Sequence, residues 1–198
     1  NAFFVECFID ELAHASGKDP YHFRRNLMKD EPRMQKVLDL AIQKSGWEGF
    51  STPGRALGLA IHKTFNTTVA QVAEVSMVKN HIKVHKIVCA VDCGIVVNPQ
   101  GVKAQVEGSI IFGLSAALNN KITFINGAAE QSNYHDFPVL RMDEIPEITT
   151  FIVPSSEDPT GVGEPATPPV APAIANAIFS LNGKRLRTLP LNTNHRKI

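Results

Sequence analysis

Residues 154–179 read PSSEDPTGVGEPATPPVAPAIANAIF, and the organisation of the chain is easiest to see from here outward. The stretch gathers six prolines and two glycines around Glu164, then runs into small and apolar residues. Glycine supplies backbone angles that other residues avoid, and proline fixes them. A loop built to hold one conformation is therefore expected, followed by a helix near 169–181. Gly161 and Gly163 before the glutamate and Pro165 after it fix the carboxylate and leave the peptide groups open to close approach. Local sequence permits two readings of Glu164. It is either part of a rigid turn, facing solvent or a lysine, or a carboxylate presented to a ligand.

Upstream, residues 101–118 carry the helical period. Val102, Val106, Ile110, Leu114 and Leu118 form one stripe, and Gln105, Ser109, Phe112 and Ala116 form another. Because it is apolar or small on most sides, this helix is expected to be deeply buried. Gly108, Ser109 and Gly113 would let another backbone come close. A buried amide left unsatisfied costs about 1–3 kcal/mol, so Gln105 needs partners, either backbone groups or a polar ligand. Gln105, with Glu107 and Gly108, is the second candidate site.

Between these landmarks and the N-terminus the pattern changes character twice. Residues 56–63, 68–78 and 82–92 are rich in β-branched and apolar residues and read as strands, with a hairpin turn at Lys79-Asn80-His81. Asn98-Pro99 marks a loop before the long helix. Residues 1–46 read as three helices. In the first, Phe4, Phe8 and Leu12, with Val5 and Ile9, make an apolar stripe that ends at Gly17. Asp19-Pro20 suits an N-cap and first helical residue, and Asp30-Glu31-Pro32 repeats the pattern. Further strands are expected near 121–126, 147–153 and 185–190. The fold class is α+β, with 1–46 as a helical segment and 47–198 as an α+β domain.

Bulk properties exclude several functions. The 198 residues are 43% hydrophobic and 20% charged with a net charge of +1, which gives no electrostatic footprint for nucleic acid. No apolar run approaches the ~18 residues of a transmembrane helix. Cys7, Cys89 and Cys93 read as buried free thiols. The seven histidines are scattered, and nucleotide-cradle, zincin and serine-hydrolase motifs are absent. The chain opens at Asn1 directly on a helical pattern with no initiator Met, so a piece of a longer protein is expected.

Three stretches in order, VDCGIVVNPQGVKAQVEGSIIFGLSAAL (91–118), EQSNYHDFPVLRMDEIPEI (130–148) and GVGEPATPPVAPAIANAIF (161–179), closely resemble the large subunit of molybdenum hydroxylases. This is the xanthine dehydrogenase/aldehyde oxidase family, and within it the chain most resembles the isoquinoline 1-oxidoreductase β subunit and molybdenum-dependent aldehyde dehydrogenase branch. The resemblance implies the C-terminal fragment of the second molybdopterin-binding domain. It implies that Glu164 is the general base beside the metal, that Gln105 approaches the metal site and the pterin, and that Gly163 packs on the cofactor through its backbone. It further implies a molybdenum–molybdopterin cofactor, in a cytosine dinucleotide form, shared with an upstream region. A [2Fe-2S] small subunit as partner and an aldehyde or N-heterocycle as substrate, hydroxylated with oxygen from water, follow from the same resemblance. Bacterial periplasm and cytoplasm both stay open. The competing expectation is a cofactor-free structural or interaction fragment, inactive on its own.

Overall fold

A computed structural model describes residues 1–50 and 52–192. Its centre is a four-stranded sheet in the order β1 (Ala56–Thr64), β2 (Thr67–Val78), β3 (His81–Asp92) and β6 (Glu147–Ile152). The first three strands run antiparallel and β6 joins β3 in parallel. Both hairpin turns put two residues in the left-handed region, Phe65 and Asn66 in one and Lys79 and Asn80 in the other, the geometry that two-residue hairpins favour.

The strands read as nearly continuous apolar runs because both sheet faces are covered. Leu57, Leu59, Ile61, Ala70, Val72 and Ala90 pack against Val37, Leu38, Ala41 and Ile42 of α3 (Pro32–Ser45). The other face meets α4 (Pro99–Leu118) and α5 (Val170–Asn182), the expected helices with the first begun two residues earlier and the second shifted by one. Here Gly58 brings β1 into backbone contact with α5: a Cβ at that position would lie 2.1 Å from the Ala177 nitrogen. Asp19 caps α2 (Pro20–Leu27) by accepting from the Tyr21 and His22 N–H groups, and Asn98 caps α4 by accepting from Gly101 N–H. Cys89 and Cys93 are buried and Cys7 is half-buried, all as free thiols.

The structure decides which side of the first helix is covered, and it corrects two expected strands. The apolar stripe of α1 (Ala2–Ala15) faces outward, leaving Phe4, Val5, Phe8 and Leu12 exposed, while Glu6 and Asp10 point into the protein. The inversion is possible because buried Arg24 donates from Nε to Glu6 at 2.9 Å, Ile61 N–H donates to the same carboxylate at 2.9 Å, and Arg185 donates to Asp10 at 2.7 Å. The expected strand at 185–190 does not form. Its arginines instead tie the segment to α1, Arg185 to Asp10 and Arg187 to Glu11, and Pro190 has no N–H to give a ladder. The expected strand at 121–126 shrinks to a two-residue exposed hairpin, β4 (Phe124–Ile125) with β5 (Ala128–Ala129), turning at Asn126-Gly127.

Candidate functional site

The segment from β6 to α5 crosses the end of the sheet and is held from three directions. Beside β3, Ile95 N–H donates to the Glu157 carbonyl and Thr160 N–H to the Cys93 carbonyl, both at 2.9 Å. Gly94 lies between them at φ +77°, with Asp158 O only 2.1 Å from where a Cβ would sit. No other residue fits there. Just upstream, Asp92 anchors this crossing. Burial pushes its carboxyl up, but paired hydrogen bonds from Arg33 at 2.8 and 2.9 Å and one from Gly94 N–H outweigh burial and hold it below the ordinary aspartate range.

From β2, the Thr67 hydroxyl donates to the Gly161 carbonyl at 2.6 Å and takes a hydrogen bond from Thr160 at 2.6 Å. Buried Gln71 donates from Nε2 to the Ala166 carbonyl at 2.7 Å. From α4, Ser109 contacts the Thr167 hydroxyl at 2.8 Å and the Glu164 carbonyl at 3.3 Å, and Thr167 returns a bond to Ser109 O. Thr167 N–H also donates to the Glu164 carbonyl at 2.9 Å. Gly113 lets α4 close on this corner, since its Cβ would meet Thr167 O at 3.1 Å.

Most of these contacts grip backbone and none takes the carboxylate of Glu164, which is exposed with Gly163 beside it. The rigid loop expected from its prolines is thus present, with a free carboxylate on it. Nothing lies within 4 Å of a Cβ placed on Gly163 or on Gly108. None of the hydrogen bonds among the described residues is donated by the N–H groups of residues 161–164.

Gln105 stands one helical turn before Ser109, hence on the same side of α4 as the Glu164 loop. The structure corrects its expected burial: α4 is buried only along Val106, Ser109, Ile110, Gly113, Leu114 and their neighbours, while Ala104, Gln105, Gly108, Phe112 and Ala116 are exposed. Glu107 is half-buried. Glu164, Gly163, Gln105 and Gly108 are thus all exposed, and Gln105 lies one turn from Ser109, the α4 residue that meets the Glu164 carbonyl.

Two cavities among the described residues lie elsewhere. One, of 510 Å³, lies along the apolar side of α1, and one, of 620 Å³, lies between the β2–β3 turn and residues 143–147. Among the described residues no three His, Cys, Asp or Glu side chains converge as a metal-binding set, and no helix is long and apolar enough to cross a membrane.

Sequence reasoning missed the anchors Thr67, Gln71 and Thr167. Only Gln71 left a readable signal, as an amide at the centre of the mainly apolar run VAQVAEV (69–75).

A family described as the molybdopterin cofactor-binding domain matches residues 43–146, which include Gln105 and stop short of Glu164. The chain is 38% identical over 194 residues to the isoquinoline 1-oxidoreductase subunit beta of Brevundimonas diminuta, covering 96% of this chain and 25% of that protein. It is 36% identical over 209 residues to a Gluconacetobacter polyoxogenes protein named membrane-bound aldehyde dehydrogenase (pyrroloquinoline-quinone), covering 94% and 27%. The chain thus spans about a quarter of the length of these relatives. In three dimensions it is similar to the aldehyde oxidoreductase of Desulfovibrio desulfuricans, with TM-score 0.76 at 15% identity, over 96% of this chain and 39% of that one. At that identity the likeness shows a shared fold.

Proposed function

This chain belongs to the molybdopterin cofactor-binding domain family of the molybdenum hydroxylases, and we propose that it is the C-terminal portion of a cofactor-binding subunit in which Glu164 is the general base. The observation that carries this reading is the grip on the loop: its backbone is fixed by Thr67, Gln71, Ser109 and the Cys93–Ile95 crossing, yet the Glu164 carboxylate has been left free.

The surface fits the cofactor in three respects. Gly108 and Gly163 leave open space where any side chain would intrude. The peptide N–H groups of residues 161–164, which donate no hydrogen bond among the described residues, offer donors to a polar ring system or its phosphates. Since no side-chain metal set is present among the described residues, a metal at this face would be carried by its organic cofactor. Gln105 and the backbone of Gly163 would hold that cofactor, in a cytosine dinucleotide form. When bound, the group supplies the Lewis-acid and two-electron redox chemistry that hydroxylates an aldehyde carbon, or a ring carbon beside nitrogen, with oxygen from water.

The chain's own share is positioning and proton transfer. A Glu164 carboxylate oxygen takes the proton from the attacking water, and the gripped backbone keeps that oxygen in place so that little reorganisation is needed. Electrons would leave through a [2Fe-2S] partner subunit.

Two observations favour a second reading, in which this length of chain alone is inert. Glu164 and Gln105 are exposed and line neither of the two cavities described, and the chain spans only 25% of the Brevundimonas relative. Both readings hold together if molybdenum is found on the full-length subunit and not on residues 1–198. Cofactor extraction also separates molybdopterin from the quinone in the name of the Gluconacetobacter relative.

The test is Glu164→Gln in the full-length subunit, with Glu157→Gln on the same loop as control. Glu164→Gln should keep its molybdenum and lose roughly 10²–10⁴-fold in turnover, while Glu157→Gln keeps both. Near-normal turnover of a metal-replete Glu164→Gln enzyme rules the base out.

A further inference from the structure

We infer that Gln71 is a positioning residue for Glu164, an inference that rests on the proposed role of Glu164 as base. Gln71 sits in the middle of β2 on the face that carries Ala60, Val69, Ala73 and Cys89, and it is fully buried. An apolar side chain is what this location calls for. The amide makes one hydrogen bond from Nε2, to the carbonyl of Ala166 at 2.7 Å, while its Oε1 has no hydrogen-bond partner among the described residues. The Cys89 sulfur, directly across the strand pair, meets the N–H side of the same amide, but sulfur is a weak acceptor and Oε1 stays unpaired.

Half of the amide's capacity is therefore left orphaned, which is unfavourable in a core. An aliphatic residue of similar length would remove that orphan and leave the Ala166 carbonyl as another. Exchanging one for the other should hardly change stability. What the amide does provide is location. Ala166 is fully buried, two residues after Glu164, at the corner where the loop turns toward α5. Gln71 thus ties that corner to the centre of the sheet, while Ser109 and Thr167 tie it to α4. With the tie from the sheet gone, the carboxylate would be anchored from α4 and from Thr67 and the Cys93–Ile95 crossing upstream, and would gain freedom to swing.

The experiment compares Gln71→Met with wild type on two preparations. On residues 1–198, the thermal midpoint should stay within about 4 °C, while hydrogen exchange of the Thr167 amide, bonded to the Glu164 carbonyl, should quicken at least tenfold. On the cofactor-loaded full-length subunit, molybdenum content and KM should stay within about twofold, while kcat falls by roughly 10–100-fold, the scale for a reacting group displaced by about 1 Å. Unchanged exchange at Thr167, or unchanged kcat, overturns the inference. Gln71→Glu, of the same shape, is made alongside. If both variants fail to fold, Gln71 is a structural residue and the inference is wrong. Glu164→Gln in the same series separates the two ideas: an inactive Glu164→Gln with a fully active Gln71→Met removes the positioning role and keeps the base, whereas an active Glu164→Gln removes the base itself.

Discussion

Replacing Gly94 by alanine should loosen the loop that carries Glu164, and the size of the effect can be worked out from the crossing. At φ +77° a residue with a Cβ is strained by about 1–2 kcal/mol. The Cβ would also stand 2.1 Å from Asp158 O, whereas ordinary contact begins at 3.4 Å, so the two segments must part by more than about 1 Å. Parting them stretches the Ile95–Glu157 and Thr160–Cys93 backbone bonds, each worth about 0.5–1.5 kcal/mol. The expected loss is about 2–5 kcal/mol. Gly127→Ala supplies the control, because Gly127 has φ +81° with nothing within 4 Å, and should show the backbone strain alone. Urea unfolding of residues 1–198, followed by circular dichroism, measures both. Equal destabilisation by the two substitutions would refute the close crossing of residues 94 and 158.

The inverted first helix gives a paired prediction: Glu6→Ala should destabilise by about 3–5 kcal/mol by taking the closer of two carboxylates from buried Arg24 and the acceptor from Ile61 N–H, whereas Phe8→Ser, 59% exposed, should stay within about 0.5 kcal/mol. If Phe8→Ser is the costlier of the two, the orientation of the helix is wrong. The depressed Asp92 carboxyl predicts an acid-side dependence. Its contribution is fully present above the ordinary aspartate range and is lost as pH falls through its lowered native value, so the urea midpoint should drop more steeply between pH 4.5 and 2.5 (about the Asp range) in wild type than in Arg33→Met. Matching slopes would mean that Arg33 does not hold the carboxylate.

Local rules located most of the fold. The caps at Asp19 and Asn98, the turn at Lys79-Asn80 and the apolar strand runs are short-range features, and each element formed within a few residues of where those signals placed it. The failures were tertiary. An apolar stripe shows that a helix has two faces without showing which is covered, and in the first helix the answer depends on Arg24 and Arg185, 18 and 175 residues away from the carboxylates they meet. Gln105 was expected to be buried for the same reason, since the apolar surroundings of its helix are partly exposed. The segment at 185–190 has strand-like alternation, but forming a strand requires a free sheet edge in reach, and it finds guanidinium–carboxylate pairing instead. At the site, the loop's rigidity was legible in its prolines and glycines. The hydroxyls and the amide that grip it come from strands and helices as much as 95 residues away and could not be matched to it from sequence.

The decisive measurement is the position of the Glu164 carboxylate in a crystal or cryo-electron microscopy structure of the cofactor-loaded full-length subunit. It should lie within about 3.2 Å of an atom coordinated to molybdenum or of a bound substrate, on a loop that keeps the Gln71 and Ser109 contacts. A carboxylate more than about 6 Å from both, facing bulk water or a lysine, would contradict it.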